Sequence, residues 1–466
     1  MQGTWATSAG LDLHLELSGS RVRDGLESAL RDAVRGGRLP AGTALPASRV
    51  LARDLGIARN TVVDAYGQLV AEGWLAARHG SGTWVAERTE PPAAGPAARP
   101  PDPVRAIRYD LRPGTPDVSA FPRAAWLAAA RRALARAPAP ELSYADPRGL
   151  PELREALAGY LARARGAAVT PERVVVCAGY AEGLDLLCRA LRVRGADEVA
   201  VERFGVHIHR QIAAATGLLL RPLEVDGRGA VTSALANEGA VLLTPAHQFP
   251  LGVALHPQRR RQVVEWAAST GALVIEDDYD GEFRYDRQAI GALQSLAPDR
   301  VAYAGTASKS LVPGLRLGWL VLPARLVDDV VAIKRAAGRL SSSIDQLTLA
   351  ELIESGGYDR QVRRARLGYR QRRDRLVSEL ARRVPQARVT GIAAGLHALV
   401  SLPGGLQEQE AVSEAARRGL AVQGLGEFRI GSPDHDPALV VGYAAPPGHA
   451  FTTALARLCA VLQGPQ

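Results

Sequence analysis

The sequence predicts two folded parts: a small helical head closed by a hairpin, and an α/β body on a mostly parallel sheet. Three observations predict this. Apolar residues recur at helical spacing in three short segments before Trp74, and two strand-like runs around a turn follow them. Strand-like runs then alternate with helical segments between Val174 and Leu322, the pattern of a mostly parallel sheet. Between the two parts, residues 87–108 contain six prolines and no apolar periodicity, as an extended linker does. The expected division is a head at 1–86, a Pro/Ala-rich linker at 87–108 and a body at 109–466.

Composition narrows the class. The 466 residues are 47% hydrophobic and 23% charged, enough for more than one core and too apolar for wholesale disorder. No apolar run reaches bilayer length and no charged-then-apolar leader opens the chain, so a cytoplasmic protein without a membrane partner is expected. Cys177, Cys188 and Cys459 have no metal-like spacing, and His207-Ile208-His209 lacks further ligands, so no metal is expected. The 57 basic residues include two lysines, Lys309 and Lys334. A lysine that persists amid so much arginine stands out, because lysine can lose its proton and form an imine whereas arginine cannot. Arginines cluster at 360–388, which reads as a solvated helix face or, alternatively, as a surface that contacts a nucleic-acid backbone. The head is nearly neutral, with nine Arg against eight Asp and Glu over residues 1–86.

The head reads in order. Val22, Leu26, Ala29 and Leu30 lie on one face of a helix from Ser20 to Leu30, stopped by Gly36, Gly37 and Pro40-Ala41-Gly42. A second helix fits Ser48 to Leu55, closed by Gly56, and a third runs from Asn60 to Glu72 with Val62, Ala65, Tyr66, Leu69 and Val70 inward. Strands at Trp74–Ala77 and Gly82–Val85 flank the turn Arg78-His79-Gly80-Ser81. Helix, turn, helix and hairpin make a winged helix-turn-helix, whose third helix enters the major groove by its N-terminus. There stand Arg59, Asn60 and Thr61: a charged donor, an amide able to read a base edge, and a hydroxyl for phosphate. From Gly37 to Val85 the wording resembles the DNA-binding domain of GntR-type bacterial regulators. The resemblance implies that Arg49 and Arg59 contact phosphates or bases, that Asn60 and Thr61 begin the recognition helix, and that His79 and Gly80 set the wing tip in the minor groove.

In the body, polar groups gather after strand ends, where ligands of parallel sheets bind. After Val174–Val176 a glycine turn, Gly179-Tyr180-Ala181, opens a helix and offers free amides to a phosphate. After Leu273–Glu276 come Asp277 and Tyr279, two residues apart and so on one side of an extended chain. After Val301–Tyr303 come Thr306, Lys309 and Arg316. That set suits an aldehyde cofactor bearing a phosphate: lysine forms the imine, Thr306 and Arg316 bind the phosphate, and a carboxylate such as Asp277 keeps a pyridine nitrogen protonated.

These segments, with SYADPRGLPELREAL (143–157), TPAHQFPLG (244–252) and VIEDDYDGEF (274–283), resemble the fold-type-I aminotransferases over most of 109–466. The resemblance implies pyridoxal 5'-phosphate on Lys309. Asp277 would partner the ring nitrogen and Tyr279 the ring hydroxyl. The phosphate would fall to Thr306, Arg316 and the turn of Gly179, Tyr180 and Ala181, with Tyr144 reaching the neighbouring subunit's phosphate. His247 or Gln248 would serve the ring oxygen, since the usual asparagine is absent. The enzymes place an arginine near the C-terminus to clamp the substrate carboxylate; here that stretch reads Ala438-Leu439-Val440-Val441-Gly442-Tyr443, with Arg429 nearby in a loop.

Head, linker and body in this order resemble the MocR family of bacterial regulators. The expectation is a homodimer, head-to-tail, that binds double-stranded operator DNA and is not an enzyme, with no catalytic residue assigned. Its small-molecule effector would be pyridoxal phosphate itself, controlling vitamin B6 supply, or an amino compound that displaces Lys309. The alternative is an active aminotransferase with a fused DNA-binding domain.

Overall fold

The computed structural model describes residues 4–8, 11–15, 22–78, 82–87, 107–144, 146–285, 290–432 and 434–464. The chain divides into two compact units, Met1–Asp102 and Pro103–Gln466. Most of the expected linker, 88–106, lies outside the described residues.

The first unit opens with an antiparallel hairpin of β1 (Thr4–Ser8) and β2 (Leu11–Leu15). This hairpin is an addition to the expected head; its signal in the sequence is the alternation Leu11, Leu13, Leu15. Three helices follow: α1 (Val22–Arg35), α2 (Ser48–Leu55) and α3 (Arg59–Ala71). The first runs one turn beyond its expected end because Ala33 continues the buried face. Gly56 closes α2 in the left-handed region at φ 66°, a conformation glycine adopts without Cβ strain. Leu26, Leu30, Leu51, Val62 and Leu69 form the core, and the Tyr66 hydroxyl donates to the Pro46 carbonyl at 3.0 Å, tying α3 to the approach of α2. The wing pairs β3 (Leu75–Arg78) with β4 (Gly82–Val85), Leu75 opposite Val85 and Arg78 opposite Gly82. Ala44 bridges to Trp84, which gives the wing a third edge.

The second unit begins with β5 (Tyr109–Asp110), α4 (Arg123–Arg136), α5 (Pro151–Arg165), β6 (Val174–Cys177), α6 (Tyr180–Val193), β7 (Glu198–Glu202), α7 (His207–Ala215) and β8 (Leu219–Leu223). A small hairpin, β9 (Val225–Asp226) and β10 (Gly229–Ala230), precedes β11 (Ala240–Leu243), α8 (Pro257–Thr270), β12 (Leu273–Asp277), β13 (Val301–Thr306) and β14 (Gly318–Val321). Helices α9 (Ala324–Ala336), α10 (Ser343–Glu354) and α11 (Gly357–Arg383) lead to β15 (Val389–Thr390), β16 (His397–Ser401), α12 (Glu408–Arg417), β17 (Leu420–Ala421), β18 (Gln423–Gly424), β19 (Ala438–Gly442) and α13 (Gly448–Leu462).

Seven strands form the main sheet in the order β6-β14-β13-β12-β11-β7-β8. All neighbours run parallel except β14, which is antiparallel to both β13 and β6. The edge strand β8 goes beyond the expected strands: Leu219-Leu220-Arg221-Pro222-Leu223 carries a proline, tolerated because it lies at the sheet edge. Alternation along the strands feeds two cores. Ile275, Ala302 and Leu320 face α6 and α9, where Leu187, Leu191, Val327 and Val330 pack. On the other side Val241, Val274 and Val301 meet Val263 and Ala267 of α8. A second, antiparallel sheet, β15-β16-β19-β18, packs through Leu439 and Val441 into the largest core with α11 and α13. Parallel strands ending side by side leave a crevice at their C-terminal ends, and the polar residues sit there.

Candidate functional site

A cavity of about 880 Å³ opens at these strand ends. The turn after β6 is closed by Gly179 at φ 87°, and a Cβ there would stand 3.5 Å from Arg316 Nη1. The positive φ, rather than lack of space, calls for glycine, and the turn sets the N-terminus of α6, with its unsatisfied first-turn amides, beside the guanidinium. Arg316 itself adopts φ 51°, the one non-glycine residue with positive φ among the described residues, as strained backbone at a functional site does. No carboxylate lies within ion-pair distance of Arg316 among the described residues, so its charge is not compensated by an acidic side chain there. Thr306 ends β13, and its hydroxyl lies 2.9 Å from that of Ser308.

Lys309 stands two residues past Ala307, with its Nζ donating to the Gly114 carbonyl. Burial lowers its pKa, against the pull of Asp277 and Asp280, which favours the free amine a nucleophile needs. Asp277, the last residue of β12, is buried, and burial holds its carboxyl well above the usual carboxylate range. Its Oδ1 has no hydrogen-bond partner, nor has the buried hydroxyl of Tyr180. Such orphaned atoms cost about 1–3 kcal/mol each unless a ligand satisfies them. Tyr279 lines the same wall two residues on.

The alternation explains the run Asp277-Asp278-Tyr279-Asp280. Asp277 and Tyr279 line the cavity, while Asp278 turns away to a buried pair with Arg165 at 2.6 Å and accepts the Tyr303 hydroxyl at 2.8 Å. Asp280 meets His247 Nδ1 at 2.8 Å.

Other expected site residues fall elsewhere. His247 and Gln248, expected to serve the ring oxygen, are buried and neither lines the cavity. The Gln248 amide is spent on the Phe204 and Phe249 carbonyls, and His247 stands behind Tyr279. Tyr144 is 95% exposed and away from this chain's cavity. Arg429 also lies off the cavity, 2.8 Å from His435 Nδ1. Within 438–443, a stretch without arginine, Val440 packs among Phe204, Phe249 and Phe428.

Three cavity residues have no obvious local signal. His209, in the first turn of α7, lies tilted against Tyr180 with ring centroids 4.5 Å apart and brings Nδ1 to 3.9 Å from Asp277 Oδ2. Burial lowers its pKa to about 3. His397 on β16 lines the far wall, and Glu202 closes β7, accepting from the Thr244 amide and hydroxyl.

Burial pushes the carboxyls of Glu202 and Glu276 up to about 7. Each binds its proton more tightly folded than unfolded. That stabilisation is present below the unfolded pKa near 4.5 and is lost as pH rises through about 7. The body therefore loses thermal stability between pH 5 and 8, by on the order of 3 kcal/mol per group. Glu202→Gln flattens the slope in calorimetry; a melting temperature that is level across this range sinks the prediction.

In the first unit, Arg49 and Arg59 are exposed, with no hydrogen-bond or ion-pair partner among the described residues. Asn60 is exposed and Thr61 half-buried, and Arg59, Asn60 and Thr61 are the first three residues of α3. His79 and Gly80 lie outside the described residues. The arginines of α11 are largely engaged: Arg366 donates to the Glu282 carbonyl, Arg372 pairs with Asp117, and Arg382 and Arg383 pair with Glu379.

Residues 23–85 match the family described as bacterial regulatory proteins, gntR family, and residues 113–440 match aminotransferase class I and II. The chain is 34% identical to the pyridoxine biosynthesis transcriptional regulator PdxR of Corynebacterium glutamicum, covering 90% of this chain and 91% of that one. The probable rhizopine catabolism regulatory protein MocR of Rhizobium meliloti is 32% identical, with 90% and 89% covered. The chain belongs to the MocR family of GntR-type transcriptional regulators. TauR of Rhodobacter capsulatus, another HTH-type regulator, is 32% identical over 85% of this MocR-type chain and 87% of its own. The body is similar to an archaeal alanine:glyoxylate aminotransferase, with TM-score 0.70, 26% identity, and 77% and 91% coverage. This MocR-type chain is thus a transcriptional regulator with an aminotransferase-like body, and among the described residues no helix is long and apolar enough to cross a membrane.

Proposed function

We propose that this regulator binds operator DNA through α3 and the wing, and that its body holds pyridoxal 5'-phosphate as the sensing group. The supporting observation is the donor set around Lys309: a half-buried amine, an orphaned Asp277 oxygen and an uncompensated Arg316 share one cavity. Those residues fit the cofactor. Arg316, Thr306 and the amides of Tyr180 and Ala181 would bind the phosphate, Asp277 the ring nitrogen and Tyr279 the ring oxygen. When bound, the group supplies an aldehyde that condenses reversibly with primary amines. Lys309 presents its amine from the cavity wall, where partial burial strengthens each charged contact. The site would be completed in a homodimer by Tyr144 of a second copy, whose exposure leaves it available for that role. The DNA target places the working protein in the cytoplasm.

Pyridoxal phosphate itself is the favoured effector. The stretch 438–443 holds no arginine and Val440 within it packs among aromatic side chains, which disfavours amino-acid turnover, and the Corynebacterium glutamicum relative is named for pyridoxine biosynthesis. Ligand occupancy would shift the population of DNA-competent dimers. The test is fluorescence anisotropy of an operator fragment, selected from random DNA, against full-length protein with and without pyridoxal phosphate and with added amines. Affinity should track the cofactor alone, with no turnover of amino donor and keto acid. Multiple turnovers would establish an active aminotransferase instead.

A further inference from the structure

We propose that Asp280 and His247 form a positioning pair that aims the Tyr279 hydroxyl into the cavity and so sets the pH at which the cofactor bound to Lys309 changes its visible absorption. The proposal rests on the cofactor reading above. The Tyr279 oxygen lies 3.1 Å from His247 Nδ1 and 3.1 Å from the His247 carbonyl. The same Nδ1 lies 2.8 Å from Asp280 Oδ2, and the two side chains are 2% and 1% exposed. A ring nitrogen carries one hydrogen at most. The shorter contact, to a carboxylate, takes it, so Nδ1 donates to Asp280 and leans toward the phenol oxygen. The phenol must then give its own hydrogen to an acceptor: the His247 carbonyl, or a ligand oxygen in the cavity. In the structure it gives that hydrogen to the His247 carbonyl; because the pair leaves Nδ1 no lone pair for the phenol, a ligand oxygen in the cavity is the alternative acceptor.

The surroundings hold the pair fixed. A Cβ on Gly395 would come within 2.3 Å of His247 Cε1 and 2.4 Å of Asp280 Oδ2, so glycine alone lets the backbone pack against both. His397 on β16 stands 5.1 Å from the His247 ring, with its Nε2 3.2 Å from the Pro250 carbonyl. The charged and titratable groups facing Tyr279 and His247 are therefore Asp277 at the end of β12, Asp280 after it, His397 on β16, Tyr443 after β19, and Lys309. Neither His247 nor Asp280 lines the cavity, so their influence passes through Tyr279.

A hydrogen bond donated to the ring oxygen stabilises its negative form and makes the neighbouring Lys309 nitrogen easier to deprotonate. Losing that bond should raise the titration midpoint of the visible band. The experiment titrates the band of pyridoxal phosphate-saturated full-length protein in wild type, Tyr279→Phe, Asp280→Asn, His247→Asn and the double variant Tyr279→Phe/Asp280→Asn. The expected result is an upward shift of about one pH unit for Tyr279→Phe, a shift in the same direction for each pair variant, and no added shift in the double variant. Asp280→Glu should recover part of the wild-type midpoint, and two independent pair variants guard against a folding defect in either one. A midpoint that moves with Tyr279→Phe but not with Asp280→Asn or His247→Asn overturns the proposal, as does an equal Asp280→Asn shift in both backgrounds. Absence of any band in wild type overturns the underlying cofactor reading as well.

Discussion

Lys309→Ala should abolish the visible band that pyridoxal phosphate gives when joined to a lysine, and with it the response of operator binding to the cofactor. The chain has two lysines, so the expected loss is complete. Lys334, the other one, is 1% exposed on α9, donates to the Val176 carbonyl inside the body and does not line the cavity. No second amine can take over. Affinity for the cofactor should fall by at least about 100-fold, roughly 2.7 kcal/mol, because Arg316 and Asp277 keep only the noncovalent contacts. Lys309→Arg tests charge against chemistry: it preserves the cation and should still give no band, since guanidinium does not form the imine. The measurement is an absorption titration of each variant with pyridoxal phosphate, followed by anisotropy with operator DNA. A band in Lys309→Ala would mean that the ligand sits elsewhere, and the cavity would lose its assigned role.

Much of this site is legible in the sequence because parallel sheets concentrate function at strand ends. Gly179, Asp277, Tyr279, Thr306, Lys309 and Arg316 each follow a hydrophobic run, and the fold has to bring those ends together. The helices and wing of the head are legible for a related reason: Gly36, Gly56 and Gly73 punctuate a clean apolar period. What sequence spacing misses is lateral. His209 reaches Asp277 only because α7 packs beside α6, and His397 comes from the second sheet. His247 has the right chemistry for the ring oxygen but the wrong reach, since Tyr279 stands between it and the cavity. The hairpin at 4–15 and the strand at 219–223 are weak signals of another kind, one short and terminal, the other interrupted by Pro222.

Removing the free cations of the head should weaken DNA binding through salt-dependent contacts, and removing the amide should weaken selectivity instead. Arg49 and Arg59 are exposed and without partners among the described residues, so alanine there disturbs no packing and no ion pair. Each arginine that neutralises one phosphate contributes about 0.9 to the slope of log affinity against log salt concentration. Arg49→Ala/Arg59→Ala should therefore lower the slope by about 1.8 per head and cost at least tenfold in affinity at low salt. Asn60 differs in kind. At the N-terminal end of α3 its amide can accept and donate on one base edge, a pairing worth about 1–3 kcal/mol of discrimination. Asn60→Ala should relax preference at one base position and leave the salt slope unchanged. Anisotropy at a series of salt concentrations, on the selected operator and on single-base variants, separates the two effects. A slope that ignores both arginines would move the backbone contacts to another surface. If Asn60→Ala instead weakened every sequence equally, Asn60 would be a backbone ligand and base reading would lie further along α3.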